Sequence, residues 1–417
     1  GDREQLRRLC GSLEGLVLAT DEEGGDVTRL EWERGSSYPG NLALGAVDDV
    51  GLTAAVAGSI ASELASCGLT MNLAPVADAN TNPDNPVIGV RSFGSDPELV
   101  ARHVAAFVQG TQAAGVLACA KHFPGHGDTA VDSHRALPVV AGDLESALLP
   151  FRAAIDAGAA ALMTGHLVVP ALDDAPATLS RMVLADLLRG ELGFHGLVVS
   201  DALEMGAITA TIGVEEAAVR ALQAGVDLLC LGHDLHEQAV ESVHAAIVDA
   251  VESRRLDRVR LEQAADAVQR LRTPPVPVPG QAPQFSRSEA ARRALRVEGE
   301  VRLGAVPFVV ELVPEANIAA GEVHHGLAEV LGAPGARLGG AGEVSPPRDR
   351  PLVVVLRDAA RHGWQRELAS RLVSARPDAV LVEIGLPGAR PPGAAGYLVT
   401  HGAGRVNLEA AAEILLA

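Results

Sequence analysis

Along residues 1–272 short apolar runs alternate with Ala-rich stretches. The runs cover 15–20, 69–75, 116–122, 159–165, 196–201 and 226–231. Between them lie segments such as 50–66 and 99–114, whose apolar residues recur at helical spacing. Strand and helix alternating in this way predict parallel strands joined by helical crossovers. Six such repeats exceed one open nucleotide-binding half and fit a TIM-type (β/α) barrel. The segment 273–287, TPPVPVPGQAPQFSR, breaks the rhythm. Four prolines in its first seven residues cannot continue a helix and favour an extended linker. Beyond it, strand-like runs at 308–313, 352–357, 379–384 and 396–400 alternate with helical stretches at 364–375 and 407–416. The expected architecture is α/β: a (β/α) barrel over 1–272, a Pro-rich linker over 273–287, and a smaller α/β sandwich domain over 288–417.

The apolar runs end in polar residues of a particular kind. Asp21 and Glu22 follow the first, Asp78 and Asn80 the second. Lys121 and His122 end the third, His166 follows the fourth, and Asp201 ends the fifth. Loops are polar in general, but that does not explain why His, Lys and Asp dominate over Ser and Gly here. A parallel barrel collects its active site at the carboxyl ends of its strands.

Charge narrows the function classes. Lys and Arg number 34 against 53 Asp and Glu, a net charge of −19 over 417 residues. A surface that acidic repels phosphate backbones and anionic lipid, so no nucleic-acid or membrane-surface role is expected. No apolar run approaches the roughly 20 residues that span a bilayer, and no cationic start followed by an apolar stretch reads as a signal peptide. The chain begins at Gly1 rather than Met, which leaves secretion open beside the expected cytoplasmic location. Cys10, Cys67, Cys119 and Cys230 are far apart with no CxxC pair, and read as reduced, structural thiols. Arg occurs 33 times and Lys once, at position 121. A chain that uses Arg for every other positive charge points to a site that needs a compact ammonium there.

Chemistry concentrates in 121–138, KHFPGHGDTAVDSHRALP. One Lys, three His and two Asp fall within 14 residues, broken by Pro124, Gly125 and Gly127 into a loop. Titratable groups clustered on a loop above a strand end mark an active-site candidate. Two readings stand side by side. One is a metal site built from His122, His126, His134 and an Asp. The other is acid–base chemistry, with Asp132 orienting His134. No His-x-x-x-His pair on a helix supports the first. The segment LVVSDALEM places Asp201 where an apolar run turns into a helix, the place of a helix cap or of a nucleophile. Asp21 stands at a strand end before Gly24 and Gly25, and Arg91 lies in a loop within IGVRSFG.

Together KHFPGHGDTAVDSH and VVSDALEM resemble glycoside hydrolase family 3, and more narrowly its bacterial NagZ-type β-N-acetylglucosaminidases. ATDEEGG, NLAPVADAN, IGVRSFG and LVTHGAGRVNLEAAAEIL extend the resemblance over nearly the whole chain. It implies a retaining exo-β-N-acetylglucosaminidase acting on N-acetylglucosamine-containing glycans or muropeptides, with no metal and no organic cofactor. Position by position it implies Asp201 as nucleophile, His134 as general acid/base and Asp132 as its partner. Asp21, Arg29, Arg91, Lys121 and His122 match residues that hold the sugar ring. The alternatives are a β-glucosidase or phosphate-dependent phosphorylase of the same family, and a non-catalytic sugar-binding protein. Only some 20 residues precede ATDEEGG, where the family has a strand and a helix. The barrel is therefore expected to lack its first strand.

Overall fold

A computed structural model describes residues 3–13, 15–210, 212–232, 235–272, 285–316, 321 and 325–417. Residues 273–284 of the expected linker lie outside the described residues. By internal contacts the chain divides into two units. The first holds Gly1–Asp21, Thr53–Ile88 and Ser95–Pro283. The second holds Gln284–Ala417 together with Glu22–Leu52 and Gly89–Gly94, two segments from the region of strand–helix repeats.

The first unit carries parallel strands β1 (Ala19–Thr20), β2 (Met71–Asn72), β3 (Leu117–Phe123), β4 (Ala161–Thr164) and β5 (Leu197–Val199). They pair in sequence order, β1-β2-β3-β4-β5, the neighbour order that βαβ repeats impose. The run at 226–231 continues beside β5 through a parallel bridge from Val199 to Leu228. Asp227 and Leu228 donate their N–H groups to Val198 O. The helix Val50–Ser66 falls where the periodicity puts it, and a second runs over Pro97–Ala113. The latter starts at Pro97 because Asp96 caps it, accepting from Glu98 N at 3.0 Å. Met71, Leu117, Cys119, Ala161, Met163, Leu197 and Val199 share one apolar cluster with Ala267 of the helix Arg258–Leu271. Their alternate positions along the strands show that one sheet face is continuous and apolar.

The second unit's strands are β6 (Arg296–Gly299), β7 (Phe308–Leu312), β8 (Gly335–Leu338), β9 (Leu352–Leu356), β10 (Val380–Glu383) and β11 (Gly396–Val399). Their order is β8-β7-β9-β10-β11-β6, all parallel except β6. Val310, Val354 and Leu381 face the helix Gly363–Ala375, while Val309, Val353, Val380 and Val382 face the helix Arg405–Leu416. With both faces covered, the strands read as unbroken apolar runs. Two strands escaped the sequence pattern, β6 and β8, because they lie at the sheet edges and are half exposed. Among the described residues no helix is long and apolar enough to cross a membrane.

Candidate active site

The period-2 alternation that builds the apolar face of the barrel sheet also aims the chemistry. Leu117 and Cys119 point to one face, and so does Lys121, two residues on. Leu197 and Val199 do the same, followed by Asp201. Ala19 is followed by Asp21. The face that is apolar along the strands thus becomes charged at their carboxyl ends, with Lys121 in register with Met163 and Val199.

Lys121 Nζ donates to Asp21 Oδ1 at 2.5 Å, and its side chain is 3% exposed. The β3–β4 ladder shifts register between Lys121 and Phe123, and the Lys121–His122 and Phe123–Pro124 peptide bonds are cis. Asp78, fully buried after β2, organises the loop that leaves β3. It accepts from His122 N and from His122 Nδ1 at 2.8 Å, and from His126 N at 2.7 Å. Burial alone would raise this carboxyl, but His122 and the hydrogen bond from His126 N together outweigh that and hold it below the usual carboxylate range.

His126 stands between two hydroxyls. Nδ1 lies 2.6 Å from Thr129 Oγ1, and Nε2 lies 3.1 Å from Ser133 Oγ. Burial drops it to about 4, so it is neutral and acts as an internal post of the loop. Gly127 allows the loop to sit this close, because a Cβ there would fall 1.7 Å from Ala79 O. Among the described residues no three His, Cys, Asp or Glu side chains are arranged to hold a metal ion.

Asp132 and His134 form the pair that their spacing predicts. Asp132 Oδ1 accepts from His134 N at 2.9 Å and lies 2.7 Å from His134 Nδ1. Burial would raise Asp132, yet the hydrogen bonds from His134 keep it lowered. A carboxylate at Nδ1 fixes the tautomer in which Nε2 is free to exchange a proton. The segment is tied to the loop that carries Asp201. Gly206 N donates to His134 O and Ala207 N to Ser133 O, each at 3.1 Å. These are the orphan N–H groups at the start of the helix Gly206–Thr209.

Asp201 is half-buried. Its N–H donates to Thr164 O at 3.2 Å, and its Oδ1 accepts from Ala202 N at 2.8 Å. Burial pushes the carboxyl up, but the charge interactions around it, His122 foremost, and the hydrogen bond from Ala202 N together outweigh it, so Asp201 lies below its usual value and is ionised near neutrality.

Asp21, Lys121, His122, Asp132, His134 and Asp201 all belong to the first unit, whereas Arg29 and Arg91 belong to the second. Arg91 is buried and paired two-pronged with Glu23, Nε to Oε2 at 3.0 Å and Nη2 to Oε1 at 2.8 Å. Arg29 is exposed, its guanidinium 5.6 Å from the centre of the Trp32 ring. Glu22 holds the backbone there by accepting from Arg29 N and Leu30 N, and burial lifts it to about 7. In the sequence Asp78 and His166 read only as polar ends of apolar runs. Their partners lie 44 and 36 residues away, beyond the reach of local spacing.

With this geometry in view, comparison with known proteins gives consistent matches. The family model described as glycosyl hydrolase family 3 N terminal domain matches residues 12–271. Beta-hexosaminidase A of Pseudoalteromonas piscicida is 37% identical over 326 residues, covering 70% of this chain and 53% of that protein. Beta-hexosaminidase of Chromobacterium violaceum is 32% identical over 319 residues, covering 72% of this chain and 86% of that protein. The solved family 3 β-N-acetylglucosaminidase of Paenibacillus sp. str. FPU-7 superposes over 100% of this chain and 88% of its own, with TM-score 0.84 and 33% identity.

Proposed function

The chain belongs to glycosyl hydrolase family 3 and is a glycoside hydrolase, and from that premise we propose that it is a retaining exo-β-N-acetylglucosaminidase. It removes N-acetylglucosamine from the non-reducing end of β-glycosides. The names of the relatives and of the Paenibacillus structure support this substrate. Fragments of peptidoglycan met in the cytoplasm are the natural source of such ends. The observation that carries the reading is the 2.7 Å Asp132–His134 pair tied through Gly206 to the loop that presents Asp201.

In the first step Asp201 attacks the anomeric carbon and forms a glycosyl ester, while His134 Nε2 gives its proton to the departing glycosidic oxygen. In the second step the neutral imidazole takes a proton from water, water attacks the same carbon, and Asp201 is released. Retaining enzymes ordinarily use two carboxyl groups about 5–5.5 Å apart. An imidazole with an unperturbed pKa of about 6.5 does the second group's work without a raised carboxyl. Asp132 keeps the imidazole oriented. Lys121 and Asp21, already bonded to each other, offer a donor and an acceptor to adjacent ring hydroxyls. His122 keeps Nε2 available because Asp78 holds Nδ1. Arg29 and Arg91 carry their ring-holding role on the family motif.

The test is turnover of chromogenic β-N-acetylglucosaminide and β-glucoside, with and without phosphate. Hydrolysis of the first, independent of phosphate, is expected. Preference for the glucoside, or release of sugar 1-phosphate, overturns the reading. A fluorinated sugar that traps glycosyl-enzymes should label Asp201, and Asp201→Asn should neither turn over nor take the label.

A further inference from the structure

His166 is fully buried at the end of β4, outside the roles above, and its surroundings are ordered with unusual completeness. Nδ1 lies 2.8 Å from Thr178 Oγ1, and Nε2 lies 2.9 Å from Ala202 O. Thr178 Oγ1 in turn lies 2.8 Å from Thr164 Oγ1. All three side chains are at 0% exposure.

The protons on this chain can be placed by elimination. Ala202 O is a carbonyl and can only accept, so Nε2 carries a hydrogen. Among the described residues this imidazole is hydrogen-bonded to one hydroxyl and one carbonyl and to no carboxylate, and burial lowers its basicity. It is therefore neutral, and Nδ1 is an acceptor. Thr178 O–H has two acceptors in reach, Gly165 O at 3.3 Å and Nδ1 at 2.8 Å, and the shorter contact to a nitrogen that carries no hydrogen takes the proton; Thr164 O–H then donates to Thr178. The polarity of the relay runs one way, from Thr164 through Thr178 and His166 to Ala202 O. Each link strengthens the next in a dry interior.

Its end point matters because of what Ala202 does. Ala202 N donates to Asp201 Oδ1 at 2.8 Å, while Asp201 N donates to Thr164 O at 3.2 Å. The peptide on the far side of Ala202 is thus held at its carbonyl by His166, and the peptide that precedes Asp201 is held by the backbone of Thr164, the residue that starts the relay. The turn Ala177–Leu179 that supplies Thr178 is set by the hairpin of Val168–Val169 with Asp173–Pro176, with Ala177 N donating to Leu167 O at 2.7 Å.

We propose that His166 is a positioning residue for the Asp201 carboxylate, acting through Ala202 and oriented by Thr178. This rests on the assignment of Asp201 as nucleophile. The role is one of geometry. The relay fixes the rotation of the Ser200–Ala202 backbone, and with it the Asp201 oxygen that faces the anomeric carbon.

The experiment measures inactivation of the full chain by the trapping fluorosugar, which separates binding (Ki) from ester formation (ki). His166→Asn keeps an amide near Nδ1 but has no donor at the Ala202 carbonyl. His166→Gln places its amide N–H2 near the position of Nε2. A displacement of about 1 Å at a reacting group costs on the order of 100-fold. His166→Asn should lower ki about 100-fold with Ki within twofold of wild type, and His166→Gln should recover at least tenfold of that loss. Thr178→Val, close in shape to the original, keeps His166 but removes its donor and should lower ki about tenfold. Wild-type ki in His166→Asn or in Thr178→Val overturns the proposal, as does a loss that falls on Ki instead. Failure of the wild-type protein to be labelled at Asp201 would overturn the nucleophile assignment, a distinct result.

Discussion

Replacing Gly206 with Ala sets two physical effects against each other with opposite signs. Gly206 opens a short helix, where Ala in place of Gly ordinarily stabilises by roughly 0.5–1 kcal/mol. A Cβ there, however, would lie 2.8 Å from His134 O and 3.0 Å from Arg135 O, both backbone atoms. Restoring an ordinary contact of 3.4 Å displaces the His134 segment by about 0.6 Å. It also lengthens the 3.1 Å bonds from Gly206 N and Ala207 N. Overpacking of this kind costs about 1–3 kcal/mol, so the net effect is a destabilisation of roughly 1 kcal/mol, within a range of about 0–2.5 kcal/mol. The imidazole moves relative to Asp201 in the same displacement. With about 1 Å worth 100-fold, kcat/KM should fall roughly tenfold. The loss should be larger for a disaccharide, which needs a proton on its leaving oxygen, than for an activated aryl glycoside. Thermal melting and both kinetic assays on one preparation decide the matter. A variant that melts higher than wild type and keeps its disaccharide rate would show that the helix start does not set the acid/base.

Lys121→Arg conserves charge, yet its planar fork has no room beside a 2.5 Å contact to Asp21; kcat/KM should drop at least tenfold, or about 1.4 kcal/mol, and a value within twofold of wild type would make the lone lysine incidental. His134→Ala should damage disaccharide hydrolysis far more than aryl glycoside hydrolysis, with Asp132→Ala showing the same ratio more weakly; equal losses with a lowered Tm would reduce the pair to a loop fastener. His126 titrates at about 4 when folded and about 6.5 when unfolded. The unfolded state therefore binds more protons between these values, and stability is lost as pH falls from 6.5 to 4, by about 3 kcal/mol over the window. His126→Gln should be less stable at pH 7 but show a flatter fall in denaturant midpoint toward pH 4.5; an unchanged slope would mean that His126 does not titrate as a buried neutral group.

The sequence by itself carried the strand–helix rhythm, because apolar periodicity is a local property that each βα unit repeats. It also carried the loop at 121–138. Asp132 and His134 are two residues apart, and so a pair between them was legible without a fold. Lys121 stood out by being the one lysine in an arginine-rich chain. What tertiary structure alone decided is which distant groups meet. Asp78 reaches His122 and His126 across 44 and 48 residues. Lys121 reaches Asp21 across 100. His166 finds Ala202 across 36. Such partners come from different strand ends, and only sheet register brings those ends side by side. The same holds for segments 22–52 and 89–94. Their sequence resembles any loop after a barrel strand, but Asp26 is buried against Arg357, 331 residues along the chain. Local pattern encodes which element forms, whereas the pairing of charges removed from water is set by the packing that removes it.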